Sequence, residues 1–123
     1  MNRILVAEDN PVNLELLREM LEGLRCEVVE ATNGEQALAK VEETRPDLIL
    51  LDINMPKMNG YDVLARLRQN LKFSGVPVLA VTAYAMKEDQ QRVLEAGFNG
   101  YLPKPIDTAR LLGELRRFGI LLD

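Results

Sequence analysis

The sequence predicts an α/β fold: a doubly wound parallel sheet in which five strands alternate with five helices. Two observations carry that prediction. Short runs of Val, Ile and Leu (ILVA at 4–7, LILL at 48–51, VPVLAV at 76–81) show no two-residue alternation, as expected of strands covered on both faces. Between them, large apolar residues recur three and four apart and mark single helix faces. These are Leu14, Leu17, Leu21 and Leu24, then Leu64, Leu67 and Leu71, then Leu111, Leu115 and Phe118.

Each element has a local reason. The first strand spans 3–7, and Asn10-Pro11 then supplies an N-cap and a proline at the first helical position, opening a helix over 11–24. A strand over 26–31 follows. Asn33, with Gln36 three residues later, forms a capping-box pattern for a helix over 34–44. The buried run at 48–52 is the third strand, and the leucine spacing places a helix over 61–71. Residues 77–82 form the fourth strand and 87–96 the next helix. Gly97 and Gly100 bracket a turn and a last strand at 99–102, and the final helix runs over 107–118. Gly119 ends it, and Ile120, Leu121 and Leu122 either pack back onto the domain or begin a further segment.

The 123 residues are read as one domain, 1–123, since no repeat, low-complexity tract or linker-like stretch divides them. The chain has no histidine, which excludes imidazole bases, phospho-histidine and His-coordinated metals. Its single cysteine, Cys26, cannot form an internal disulfide and suits a reducing cytosol. The net charge of −4 argues against nucleic acid as a charge-driven partner. Negative charge is concentrated early: residues 1–60 carry 12 acids against 6 bases, and 61–123 carry 7 against 9. No signal-peptide pattern is present, and no apolar stretch approaches the roughly 20 residues of a spanning helix, so no membrane contact and a cytoplasmic location are expected.

In a sheet of this kind ligands bind beyond the carboxyl ends of the strands. Glu8 and Asp9 follow the first strand, Asp52 ends the third, Thr82 the fourth, and Lys104 follows the fifth. Three carboxylates crowded together raise one another's pKa unless a cation sits among them. Oxygen donors with no Cys or His nearby select a hard ion, and Mg²⁺ is the natural choice. Phosphoryl transfer needs an in-line nucleophile, a metal and donors that neutralise charge. Asp52 fits as nucleophile, since an attacking carboxylate needs no general base. Lys104 and the Thr82 hydroxyl would bind phosphoryl oxygens, Asp9 would ligate the metal directly, and Glu8 would reach it directly or through water.

The strings ILVAEDN, LILLDINMPKMNG, LAVTAYAM and YLPKP, in this order and spacing, resemble the motifs of response regulator receiver domains, the CheY-like family. The resemblance covers essentially the whole chain and implies a flavodoxin-like sheet of order 2-1-3-4-5 with five helices. It implies that Asp52 is the phosphoacceptor, that Glu8, Asp9, Asp52 and the Asn54 carbonyl form a Mg²⁺ site, and that Thr82 and Lys104 hold the phosphoryl group. It further implies that Tyr101 is a switch aromatic and that Lys104-Pro105 is a cis peptide. Where the family's pattern has Asp-Gly after the phosphoacceptor loop, this chain has Asn59-Gly60 and keeps the glycine. The stretch TAYAMKED, with Tyr84, is similar to single-domain receivers of the DivK kind and to receivers of hybrid histidine kinases.

The implied partners are a sensor histidine kinase or a histidine phosphotransfer protein as donor, and a downstream protein bound through the fourth helix, last strand and last helix. If the chain is complete, its output is binding to another protein. Arg110, Arg116 and Arg117 make the last helix basic, which suits an acidic partner or an ordinary solvated face equally. Two other functions compete. One is a phosphate-independent receiver acting as an interaction module. The other is a haloacid-dehalogenase-type phosphatase, whose D-x-D pattern would put an acid where this chain has Asn54. A nucleotide-binding fold finds no glycine-rich motif after any strand.

Overall fold

The computed structural model describes residues 2–83 and 86–120. The chain alternates β1 (Arg3–Ala7), α1 (Pro11–Gly23), β2 (Glu27–Ala31), α2 (Gly34–Thr44), β3 (Leu48–Asp52), α3 (Gly60–Gln69), β4 (Val78–Thr82), α4 (Lys87–Ala96), β5 (Gly100–Pro103) and α5 (Thr108–Arg117). All pairings are parallel and the strand order is β2-β1-β3-β4-β5, the expected topology.

The unbroken apolar runs are explained by two cores. Ile4, Val6, Leu48, Leu50, Leu79 and Val81 face α1 and α5, meeting Leu14, Leu17, Leu21, Leu111 and Leu115. Their strand neighbours Leu5, Ala7, Ile49, Leu51, Val78 and Ala80 face the other way, meeting Ala37 and Val41 of α2, Val63, Leu64 and Leu67 of α3, and Val93 of α4. Successive strand side chains point to opposite faces, so a strand covered on both must be apolar at every position.

The helix starts follow the caps. The Asn10 side chain accepts from the Val12 and Asn13 N–H groups, and Asn33 accepts from the Gln36 N–H. The return bond expected of a capping box is shifted by one residue: Gln36 Oε1 accepts from the Thr32 N–H and hydroxyl rather than from Asn33. Gly34 and Gly60 begin their helices where no side chain fits. A Cβ at Gly34 would lie 2.7 Å from the Met58 Cβ, and one at Gly60 2.8 Å from the Ile53 Cα. Both approaches hold the loop between β3 and α3 against the sheet.

Three helix ends depart from expectation, α5 by one residue, since it stops at Arg117 with Phe118 as its C-cap. α1 stops at Gly23, with Leu24 as its C-cap, and α3 stops at Gln69 rather than at 71. Asn70 turns to an extended conformation and its side chain accepts from the Lys72 N–H, which breaks the helical ladder. Leu71 therefore does not join the apolar face of α3. It is 91% exposed, and Phe73 fills the core position instead. At the other end, Gly119 with φ +74° closes α5, and Ile120 packs back into the core; Leu121 and Leu122 lie outside the described residues. No helix among the described residues is long and apolar enough to cross a membrane.

Candidate functional site

The site is built on the carboxyl edge of the sheet. Pairing places β1 beside β3, β3 beside β4 and β4 beside β5, so the residues that end these strands become neighbours although they are far apart in sequence. Glu8, Asp52 and Thr82 are the buried polar or charged residues among those described, each at most 3% exposed. Asp9 sits beside them on the exposed lip. Glu8, Asp9 and Asp52 each offer a carboxylate oxygen within 4.8 Å of the others.

Lys104 is the cation of this cluster. Its Nζ lies 3.0 and 3.1 Å from the two Glu8 oxygens and 3.4 Å from Asp52 Oδ2. Its own N–H donates to the Thr82 carbonyl at 2.8 Å, and its peptide bond to Pro105 is cis, as the family resemblance implied. The Asn54 N–H donates to Asp52 Oδ1 at 3.0 Å, so the loop after β3 folds back over its terminal carboxylate.

Electrostatics set these groups apart from ordinary acids. Burial pushes the Asp52 carboxyl up to about 7, with the adjoining Glu8 carboxyl adding to the effect and the Asn54 N–H and Lys104 opposing it. Repulsion between acids, which the sequence suggested as the cause, is thus secondary to desolvation. Burial also disfavours the charge on Lys104, but Glu8 and Asp52 outweigh it and hold the ammonium above its usual range. One ammonium cannot neutralise three carboxylates. The donor set is oxygen only, and the cluster retains negative charge that a hard divalent cation such as Mg²⁺ would satisfy.

The remaining predicted residues lie around this edge. Thr82 and Asn54 line a cavity of about 240 Å³ with Ile53, Tyr61, Asp89, Arg92 and Val93. Tyr101 is farther along β5, half-buried against the core on the α4 side, with the Arg110 guanidinium 5.0 Å from its ring centroid. Tyr84 lies outside the described residues. One contributor escaped the sequence analysis. The Asn13 side-chain amide donates to Glu8 Oε1 at 3.1 Å. Its signal was its position, three residues after the Asn10 cap, where the first helical turn faces back toward the end of β1.

A parallel sheet of this order, with acids after β1 and β3, a hydroxyl at the end of β4 and a lysine after β5, defines the receiver class of signalling domain. The chain belongs to the response regulator receiver domain family, whose sequence model matches residues 4–116. It is 36% identical over 115 residues to the polar-differentiation response regulator DivK of Brucella anthropi, covering 94% of each chain. It is 40% identical to an uncharacterised 14.6 kDa protein of Leptolyngbya boryana, covering 94% of this chain and 88% of that one. Among solved structures it resembles the receiver domain of the sensor histidine kinase PA1611 of Pseudomonas aeruginosa, described with a magnesium ion in its active site cleft. That match has a TM-score of 0.88 at 38% identity over 95% of this chain and 96% of that one. The chemotaxis protein CheY4 of Vibrio cholerae matches with a TM-score of 0.89 at 30% identity over 96% and 98%. Members of the family are signalling proteins of two-component systems.

Proposed function

We propose that residues 1–123 form one cytoplasmic receiver unit that accepts a phosphoryl group on Asp52 and changes its partner-binding face in response. The observation that carries this reading is the buried pair Glu8 and Asp52 with the Lys104 ammonium between them, open on one side to the acidic lip at Asp9. Glu8, Asp9, Asp52 and the Asn54 carbonyl would hold a Mg²⁺ ion, as the oxygen-only donors and the magnesium-containing Pseudomonas relative support. When bound, such an ion neutralises phosphoryl oxygens during transfer.

The chain's own residues account for the rest. An Asp52 carboxylate oxygen attacks phosphorus, and the P–N bond to a partner's phospho-histidine breaks as the P–O bond forms. The imidazole leaves with the electron pair and takes up a proton from solvent. Lys104, already aimed at Asp52, pairs with a phosphoryl oxygen, and the Thr82 hydroxyl takes another. Membership of the receiver family supports a sensor histidine kinase or a histidine phosphotransfer protein as the donor, and this chain has no histidine of its own to take that part. The group on Asp52 adds charge and acceptor oxygens at the sheet edge. Thr82 moves toward it, Tyr101 turns inward, and the face of α4, β5 and α5 changes for a downstream protein. This is a two-state equilibrium biased by differential contacts.

Incubation with acetyl phosphate or phosphoramidate and Mg²⁺ is expected to add one acid-labile phosphoryl group by mass, and Asp52→Asn to abolish it. Wild-type protein that stays unmodified across a range of Mg²⁺ concentrations overturns the switch and favours a phosphate-independent interaction module. Catalytic turnover of a generic phosphate ester would point instead to a phosphatase.

A further inference from the structure

We infer that Asn13 is a positioning residue for the divalent-cation site, acting by holding the Glu8 carboxylate in place when Lys104 lets it go. The inference rests on the proposed cation site and adds a residue to its support.

The local chain is arranged to aim this amide. Asn10 caps α1, its Oδ1 accepting from the Val12 N–H at 2.9 Å and the Asn13 N–H at 3.2 Å. Pro11 fixes the backbone between cap and turn. The first turn is therefore held twice, and the half-buried Asn13 side chain reaches back to Glu8 Oε1 at 3.1 Å. Glu8 is secured from behind by its N–H, which donates to the Ala31 carbonyl at 3.0 Å.

Among the described residues, Asn13 donates to the Glu8 carboxylate at Oε1 and Lys104 at both oxygens, and the Asp52 carboxyl shares a hydrogen bond with it. Lys104 also faces Asp52 and cannot serve both acids equally. A divalent ion entering the cluster competes with the ammonium for the same oxygens. A phosphoryl group on Asp52 draws the ammonium further from Glu8. In either state Asn13 remains, among the described residues, a side-chain donor that fixes the Glu8 rotamer, since an Asp52 carboxyl that ligates an ion or carries a phosphoryl group has no proton to share with Glu8. An amide suits this task because it carries no charge; an ammonium or guanidinium there would repel the incoming dication. Ligands held by such hydrogen bonds bind metal more tightly because they are already oriented.

The test is calorimetric titration of Mg²⁺ into wild-type protein, Asn13→Leu, Asn13→Ala and Asn13→Gln, with circular dichroism and metal-free thermal midpoints confirming that each folds. The Asn10 cap is untouched in all three. Asn13→Leu and Asn13→Ala are expected to weaken Mg²⁺ about tenfold, and Asn13→Gln, which keeps the donor, to recover most of that loss. Equal affinity in wild type and Asn13→Leu overturns this inference and leaves the proposed function standing. A loss in Asn13→Gln as large as in Asn13→Leu also overturns it, since the amide would then not be the cause. Wild-type protein that binds no Mg²⁺ overturns both.

Discussion

Asp52 is held where water cannot stabilise its charge, and that tension has a measurable cost. A carboxyl whose folded pKa stands near 7 binds its proton more tightly in the native state than in the unfolded one, where an ordinary value near 3.8 applies. Its ionisation therefore disfavours the fold. The penalty is absent below about pH 4, grows as pH rises toward 7, and is complete above the folded pKa. Asp52→Asn keeps the shape and removes the charge. In metal-free buffer with chelator, the variant is expected to be more stable than wild type at pH 8, by at most ~4 kcal/mol, with the difference closing near pH 4. Thermal or urea unfolding across that range checks it, and a pH-independent difference would assign the effect to something other than this carboxyl. The acids of the cluster were legible in the sequence because they follow strand ends. Lys57 was not: its φ of +68° in the loop after β3, where the Met58 N–H reaches the Pro56 carbonyl at 2.7 Å, follows from how the loop closes over Asp52 and from nothing in its own identity.

At the scale of elements, helix starts were more legible than helix ends. Asn10 and Asn33, read as caps from the sequence, cap as side-chain acceptors, and so do Asn59 and Asp107, where the expected starts at 61 and 107 were each one residue off. The end of α3 was misplaced because the three-and-four spacing runs on through Leu71, whereas the Asn70 turn diverts the chain first. The exchange of Leu71 for Phe73 is testable by truncation. Phe73→Ala is expected to cost about 3 kcal/mol in urea unfolding, the range for a buried aromatic, and Leu71→Ala to stay within ~0.5 kcal/mol. Similar costs for the two would contradict this end of α3. The same region holds a clamp that no spacing signals. The Arg68 guanidinium donates to the Ser74, Val76 and Gly97 carbonyls and to Asn99 Oδ1, tying the loop after α3 to the turn after α4. Three of its four acceptors are main-chain atoms, which any residue could supply, so the sequence carries no trace of the pairing.

For the whole molecule, the doubly wound class was legible because burial on both faces leaves a compositional mark, the unbroken apolar run. Strand order was available only through the family resemblance, since periodicity cannot say which strands are neighbours. The order matters because it sets the acids after β1 against the end of β3 and leaves the edge positions to β2 and β5. The excess of acids in residues 1–60 is in part this convergence, since Glu8, Asp9 and Asp52 belong to it. A ligand that binds the folded cluster and not the dispersed acids of the unfolded chain must raise stability, by ~2.7 kcal/mol at a hundred times its dissociation constant. MgCl₂ is therefore expected to raise the thermal midpoint of the wild type above that in NaCl of matched ionic strength. Glu8→Gln should flatten the dependence. A midpoint that follows ionic strength alone would show only charge screening.

Lys104 meets Glu8 across 96 residues of chain. During synthesis, β1 and β3 leave the ribosome long before β5 does, so a nascent chain that pairs them brings Glu8 toward Asp52 while their ammonium has yet to be made. Until translation reaches Lys104, divalent ions or protons must compensate the acidic cleft that the earlier-made strands have already assembled.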